Sequence, residues 1–171
     1  MKEKEKLNDS KELYDEIINS NNSELIYNLA LFYNKGSQKL DDYWIYQDRY
    51  INLLEKGALL DHIPSLIKLG DTNRQGNDYI AKHPLKAKEL YIKASEKGSA
   101  KAMLRLANMY EEEFESEDDN WKKSLYWINK ACSLNYSEAF IMLGTFYEEG
   151  KGVPIDIDKA YELYEKGGAE L

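Results

Sequence analysis

Cysteine, histidine, proline and arginine are all scarce in this chain: 171 residues include one cysteine, two histidines, three prolines and three arginines. A single thiol, Cys132, closes no internal disulfide, so stability has to come from packing alone. His62 and His83 fall in no His-x-x-x-His pattern, and neither a Cys-x-x-Cys pair nor a Gly-x-Ser-x-Gly turn is present. The usual spacings for a zinc ligand set or a nucleophile elbow are therefore missing, and no metal or cofactor is expected. No apolar run approaches the ~18 residues that a membrane span needs. The opening Met1-Lys2-Glu3-Lys4-Glu5-Lys6 also lacks the apolar stretch of a signal peptide, so the expectation is a cytoplasmic protein without membrane contact. Cations are short as well: 23 Lys and Arg face 31 Asp and Glu, for a net charge of −8. That balance opposes nucleic-acid binding, whose affinity comes mostly from basic side chains displacing counterions from phosphates.

What the chain has is periodicity. Leu69, Leu106 and Leu143 are spaced by 37 residues and each is followed by a small residue, Gly70, Ala107 or Gly144; Leu29 lies 40 residues before Leu69. Around each leucine the apolar residues recur three and four apart, the spacing of one helical face. These four segments are A helices. Behind each lies a second periodic segment, the B helix, with matching residues Tyr46-Arg49-Tyr50-Leu53, Ala87-Leu90-Tyr91-Ala94, Ser124-Trp127-Ile128-Ala131 and Ala160-Leu163-Tyr164-Gly167. Small residues at fixed positions let A and B backbones approach while leucine and aromatic side chains fill the space between them. Trp44, Trp121, Trp127 and most of the 14 tyrosines are expected in that packing.

Punctuation supports the same division. Gly36, Gly76 and Gly150 share a repeat position after helix A, where a left-handed residue ends a helix without steric cost; the third copy has Glu113 there. Asp42, Asn120 and Asp156 are expected to cap the B helices, with His83 taking that place before Pro84. His62 reads as a loop residue ahead of the second A helix, and Cys132 as a half-buried packing thiol. Lys11-Glu12-Leu13-Tyr14 echoes Lys88-Glu89-Leu90-Tyr91, which predicts a B-type capping helix over 8–20. The expected organisation is one domain, 1–171, with repeats over about 22–57, 62–98, 99–135 and 136–171.

The fourth copy, through Leu143-Gly144, Tyr147, Gly150, Gly152-Val153, Asp156 and Lys159-Ala160, resembles the Sel-one-like (Sel1-like) repeat of the tetratricopeptide-like superfamily. Copy two keeps Leu69-Gly70, Lys86-Ala87 and Glu96-Lys97-Gly98; copy three keeps Ala102, Leu106 and Tyr110; copy one keeps Tyr33, Gly36 and Glu55-Lys56-Gly57. The resemblance implies an all-α, right-handed α-solenoid of helix-turn-helix repeats that works as a protein-interaction adaptor. Secreted, cysteine-rich relatives have been described as β-lactam-binding or hydrolysing, but Cys132 alone does not supply their paired cysteines.

The same resemblance implies that the A helices line a concave groove, and its register nominates the residues that face a partner. They are Glu24, Tyr27, Asn28 and Asn34 in copy one, and Lys68, Asp71, Arg74 and Gln75 in copy two. Copy three contributes Lys101, Arg105, Asn108 and Glu111, and copy four Glu138, Met142, Thr145 and Glu148. Lys68, Arg74, Lys101 and Arg105 gather basic charge in the middle copies of an acidic protein. A guanidinium fork suits a carboxylate, so an acidic or C-terminal carboxylate group of a partner peptide is the expected ligand.

Three further features remain. Seven of the nine residues from Glu111 to Asp119 are acidic, which reads as a solvated loop or a docking strip for a basic surface. Asp156-Ile157-Asp158 reads as a helix start. The last B helix ends in Gly167-Gly168 without a polar closing helix, an edge suited to contact with a second copy of the chain. The reading is thus a non-catalytic binding module. Its alternatives are an inhibitor or immunity protein that neutralises a partner enzyme, and a hydrolase of the cysteine-rich type.

Overall fold

The computed structural model describes residues 2–36, 43–77, 80–112 and 117–168, and among them it contains nine α-helices and no strand. In chain order these are α1 (Lys2–Asn19), α2 (Ser23–Gly36), α3 (Tyr43–Leu59), α4 (Ile63–Gln75), α5 (Pro84–Glu96), α6 (Ala100–Glu112), α7 (Glu117–Cys132), α8 (Ser137–Glu149) and α9 (Ile157–Gly167). The A helices are α2, α4, α6 and α8. The B helices are α3, α5, α7 and α9, and α1 takes the capping position. It begins at Lys2, before residue 8, because the Lys/Glu run ahead of Leu7 is made of good helix formers.

Each B-to-A turn is set by one left-handed residue. Asn21, Asp61, Gly98 and Asn135 have φ of 54°, 60°, 86° and 55°, and they repeat at the intervals of the A helices. Asparagine, aspartate and glycine are the residues that enter this conformation most readily. In three of the turns the next N–H reaches back to close the preceding helix: His62 to the Gly57 carbonyl (3.0 Å), Ser99 to Ala94 (3.2 Å) and Tyr136 to Ala131 (3.4 Å). That next residue also starts the A helix. Asn22 Oδ1 accepts from Leu25 N–H at 3.1 Å, and Ser99 Oγ from Ala102 N–H at 3.3 Å.

After helix A two of the three expected glycines act as stops, while Gly36 is the last residue of α2 itself. Gly76 (φ 62°) donates its N–H to the Thr72 carbonyl, and Gly150, in the left-handed region, donates to Phe146. Asp156 caps α9 by accepting from Lys159 N–H at 3.0 Å. Asp156→Ala should lower stability by about 1 kcal/mol in urea denaturation, the usual worth of such a cap. Asn120 does not cap: α7 starts at Glu117 and Asn120 is buried inside it. His83 precedes Pro84, and its carbonyl accepts from Ala87 N–H at 3.0 Å, as a residue at the cap position does. The expected roles of Asp42, Glu113 and the Trp44 side chain lie outside the described residues, as does most of the acidic strip.

The chain divides into two compact units, Met1–Leu90 and Tyr91–Leu171. In the first, α1 packs on α2, α2 on α3 and α3 on α4, burying Ile26, Ala30, Leu53, Leu54, Leu66 and Leu69. Arg49 ties three of these helices: its Nη1 donates to Tyr33 Oη at 2.8 Å while the guanidinium lies over the rings of Tyr14 and Tyr33. In the second unit α7 packs against α6 and α8, and α8 against α9. Ala107, Ile128, Leu143, Phe146 and Leu163 form its main cluster, with Trp121, Leu125 and Trp127 packed around them. Met103, Ala131 and Ala139 make a second cluster, and half-buried Cys132 touches both. Burial raises the Cys132 thiol above its ordinary range, as for a packing residue.

Small residues are where the helices come closest. A Cβ added at Gly144 would stand 2.6 Å from the Tyr164 ring, and one at Gly167 would stand 2.5 Å from Ile141 Cγ1. In the first unit a Cβ at Gly57 would fall 2.2 Å from Ser65 Oγ. None of these gaps admits a methyl group.

Candidate functional site

None of the residues nominated for the A-helix surface is buried, so each stands at the protein surface while the core is made by other positions of the same helices. In the first unit Glu24, Tyr27 and Asn28 of α2 gather beside His62, and Asp71 of α4 lies near Tyr27. Asn28 Nδ2 donates to Glu24 Oε1 at 3.4 Å, the other Glu24 oxygen lies 3.2 Å from His62 Nε2, and the Tyr27 ring meets the imidazole edge-on at 5.3 Å. Burial raises the Tyr27 hydroxyl pKa, and the carboxylates of Glu24 and Asp71 raise it further. Burial also raises the Tyr50 pKa, and Thr72, 3.2 Å away, opposes that shift.

His62 stands just outside α4, as expected, at the cap position ahead of Pro64, with its ring turned inward and its side chain only 12% exposed. Its Nδ1 lies 2.9 Å from Ser65 Oγ. With Nε2–H donating to Glu24, Nδ1 is free to accept the serine hydroxyl proton. Glutamate, histidine and serine thus stand in the order of an acid–base–nucleophile relay. Ser65, however, is fully buried against Gly57, so its hydroxyl is closed to a substrate. The row fastens the start of α4 to α2. The sequence signal was present, since Pro64 marks a first turn, but nothing local shows that Glu24, 38 residues earlier, is the partner.

Lys68, Arg74 and Gln75 lie on α4, with Gln75 exposed and the two cations half-buried. Asn34 is half-buried on α2. In the second unit Lys101 and Arg105 sit one turn apart on α6, and Asn108 follows on the same helix. Burial and the Glu138 carboxylate raise the Tyr136 pKa, and Arg105 opposes them, so these three side chains share one neighbourhood.

Other nominated residues are occupied in holding the fold. Met142 packs on the main cluster. Tyr164 Oη donates to Glu148 Oε2 and lies 3.4 Å from Thr145 Oγ1, which ties α8 to α9. Glu111 turns inward. Its carboxylate receives Ser124 Oγ from α7 at 3.3 Å and Lys151 Nζ from the loop after α8 at 3.3 Å. Burial raises its pKa, and Lys151 and Ser124 pull the other way. Lys151 also pairs with Glu149 at 2.7 Å and lies over the Trp121 ring at 5.3 Å. Sequence reasoning missed this junction because Glu111 and Lys151 are 40 residues apart.

Among the described residues no helix is long and apolar enough to cross a membrane. The Sel1 repeat family model matches residues 23–42, 63–99, 100–136 and 137–170. A chitin synthase regulator of Saccharomyces cerevisiae, SKT5, is 31% identical over 145 residues, which are 82% of this chain and 20% of that protein. Chitin synthase regulatory factor 1 of Schizosaccharomyces pombe is 28% identical over 111 residues, 64% of this chain and 24% of that protein. The chain therefore spans only about a fifth to a quarter of these curated relatives. Among solved structures, c5321, a protective antigen of uropathogenic Escherichia coli strains with an SLR fold, is similar at a TM-score of 0.74 and 23% identity, covering 92% of this chain and 32% of that one. A Sel1 repeat protein from Oxalobacter formigenes is similar at 0.68 and 25% identity, covering 86% and 58%. The fold class is thus an all-α solenoid of helix-turn-helix repeats.

Proposed function

We propose that this chain, which belongs to the Sel1 repeat family, is a non-catalytic, cytoplasmic regulatory adaptor that binds a protein or peptide along the outer faces of its A helices. The supporting observation is the division of labour within those helices. One face of each supplies the core, and the other keeps polar and aromatic side chains at the surface in excess of what packing needs. Glu24, Tyr27 and Asn28 offer such a surface in the first unit. Lys101, Arg105 and Asn108 offer one in the second, where the cations present planar and point charges to a carboxylate of the partner.

Two relatives named for regulating an enzyme favour a partner that is itself an enzyme or part of one. The inhibitor reading is a special case, in which the chain covers the enzyme's active site. Capture of the partner on the full chain, followed by titration, tests both readings. Arg105→Glu and Tyr27→Ala should each weaken binding about tenfold, ~1.4 kcal/mol. Dissociation constants unchanged in both variants would remove the proposed surface. Loss of the partner's activity on binding would mark an inhibitor, and retained activity an adaptor.

A further inference from the structure

At the α2–α4 surface of the first unit an exposed carboxylate is held from beneath. Glu24 is 70% exposed, yet one of its oxygens lies 3.2 Å from Nε2 of His62, whose ring is fastened in turn to the fully buried Ser65. Asn28 Nδ2 donates to the other oxygen at 3.4 Å. An exposed carboxylate ordinarily gives up rotamer freedom when it binds; Glu24 is already positioned before a partner arrives.

What this group offers to solvent is acceptor capacity and an aromatic ring. A carboxylate accepts at about four lone-pair positions, so two internal donors leave Glu24 with room for more. Tyr27, one turn along α2, is half-buried with the imidazole edge-on at 5.3 Å. Lys68 precedes Asp71 by one turn on α4, yet the charges that act on the Tyr27 hydroxyl are the two carboxylates of Glu24 and Asp71. The ring therefore stands in a negative field.

We infer that the first unit reads a cationic side chain of the partner, arginine in preference to lysine, seated between the Glu24 carboxylate and the Tyr27 ring. This rests on the A helices being the binding surface, and it names what their first unit selects. A guanidinium satisfies both neighbours at once, its N–H fork pairing with the carboxylate while its flat face lies on the ring; an ammonium is a point charge and matches the pair less well. The sign is opposite to that of the partner carboxylate assigned to Lys101 and Arg105 in the second unit. The partner therefore carries charges of both signs, and the two units read different ones.

The test selects a phage-displayed library of random peptides on the full chain and remakes the enriched sequences as fluorescent peptides. Those that lose binding to Tyr27→Ala are expected to share an arginine or lysine. Replacing that residue by glutamine should weaken binding to the parent chain about tenfold, and binding to Glu24→Gln no more than about twofold, because the cation's partner is already gone. Glu24→Gln keeps an acceptor for His62 Nε2–H, and circular-dichroism melts matching the parent's establish that the variants are folded. Glu12→Gln, at an exposed position of α1, should leave binding unchanged, which separates a local effect from one of overall charge. Tyr27-dependent peptides that share no cation, or an equal loss on the parent chain and on Glu24→Gln, overturn the inference and leave the A-helix surface standing. So do peptides that depend on Arg105 and not on Tyr27. A library that yields no peptide sensitive to Tyr27→Ala or to Arg105→Glu overturns both.

Discussion

Replacing Gly144 by valine should cost about 3 kcal/mol of stability, near the upper end for overpacking a core. The first added carbon alone falls 2.6 and 2.8 Å from two carbons of the Tyr164 ring and 3.1 Å from the Ala160 carbonyl oxygen. The ring cannot simply swing away, because its hydroxyl is held by Glu148 and its body packs at the α8–α9 contact. Either α9 moves off α8, exposing Leu163 and part of the Phe146 cluster, or the ring leaves and its hydrogen bond is lost. Urea denaturation followed by circular dichroism measures the effect. In a Tyr164→Ala background the same substitution should cost at least about 1 kcal/mol less, since the nearest obstacle is gone and contacting sites do not add. An equal cost in both backgrounds would move the conflict to the backbone of α9.

Lys151→Met should cost about 2 kcal/mol at neutral pH, below the several kcal/mol of a fully buried pair because water still reaches part of this junction. Lys151 and Glu111 side chains are 28% and 16% exposed. Methionine keeps the apolar stem over Trp121 and Phe146 but removes the cation that offsets burial of the Glu111 carboxylate. The Glu111 pKa, already raised by burial, then rises further. A carboxyl whose pKa is higher folded than unfolded favours the native state at low pH and loses that contribution as pH rises through the folded value. The penalty of Lys151→Met is therefore present at pH 7 and shrinks below the ordinary carboxylate range, where Glu111 is protonated in both states. What remains in acid is the loss of the ammonium from the two rings, about 0.5–1 kcal/mol. Glu111→Gln should be close to neutral by itself, because it removes the buried charge together with its partner's attraction. Denaturation at pH 7 and pH 3.5 separates these contributions; a penalty equal at both would show that Glu111 is not its source.

The A helices were legible because Leu69, Leu106 and Leu143 recur at a fixed interval with small residues behind them, and burying one face requires that pattern. Asp156 was legible as a cap because capping is settled within four residues. Asn120 was misread because α7 starts three residues earlier, at Glu117. His62 was legible as the residue ahead of α4, but the engagement of its ring with α2 was not, because a long-range contact leaves no local trace. None of the residues that the register nominates falls in the buried core. The register did not separate Glu111, Glu148 and Met142, which face neighbouring helices, from Glu24 or Lys101, because all share one helical phase.

Sequence by itself determined the helices, their order and their turns, since each follows from apolar spacing, a left-handed residue and a cap within a few positions. Tertiary structure alone decided which polar side chains were spent inside the protein. Glu24 found His62, and Glu111 found Lys151. Those outcomes depend on distances between residues tens of positions apart, fixed only when helices meet at gaps as narrow as Gly57 and Gly144 allow.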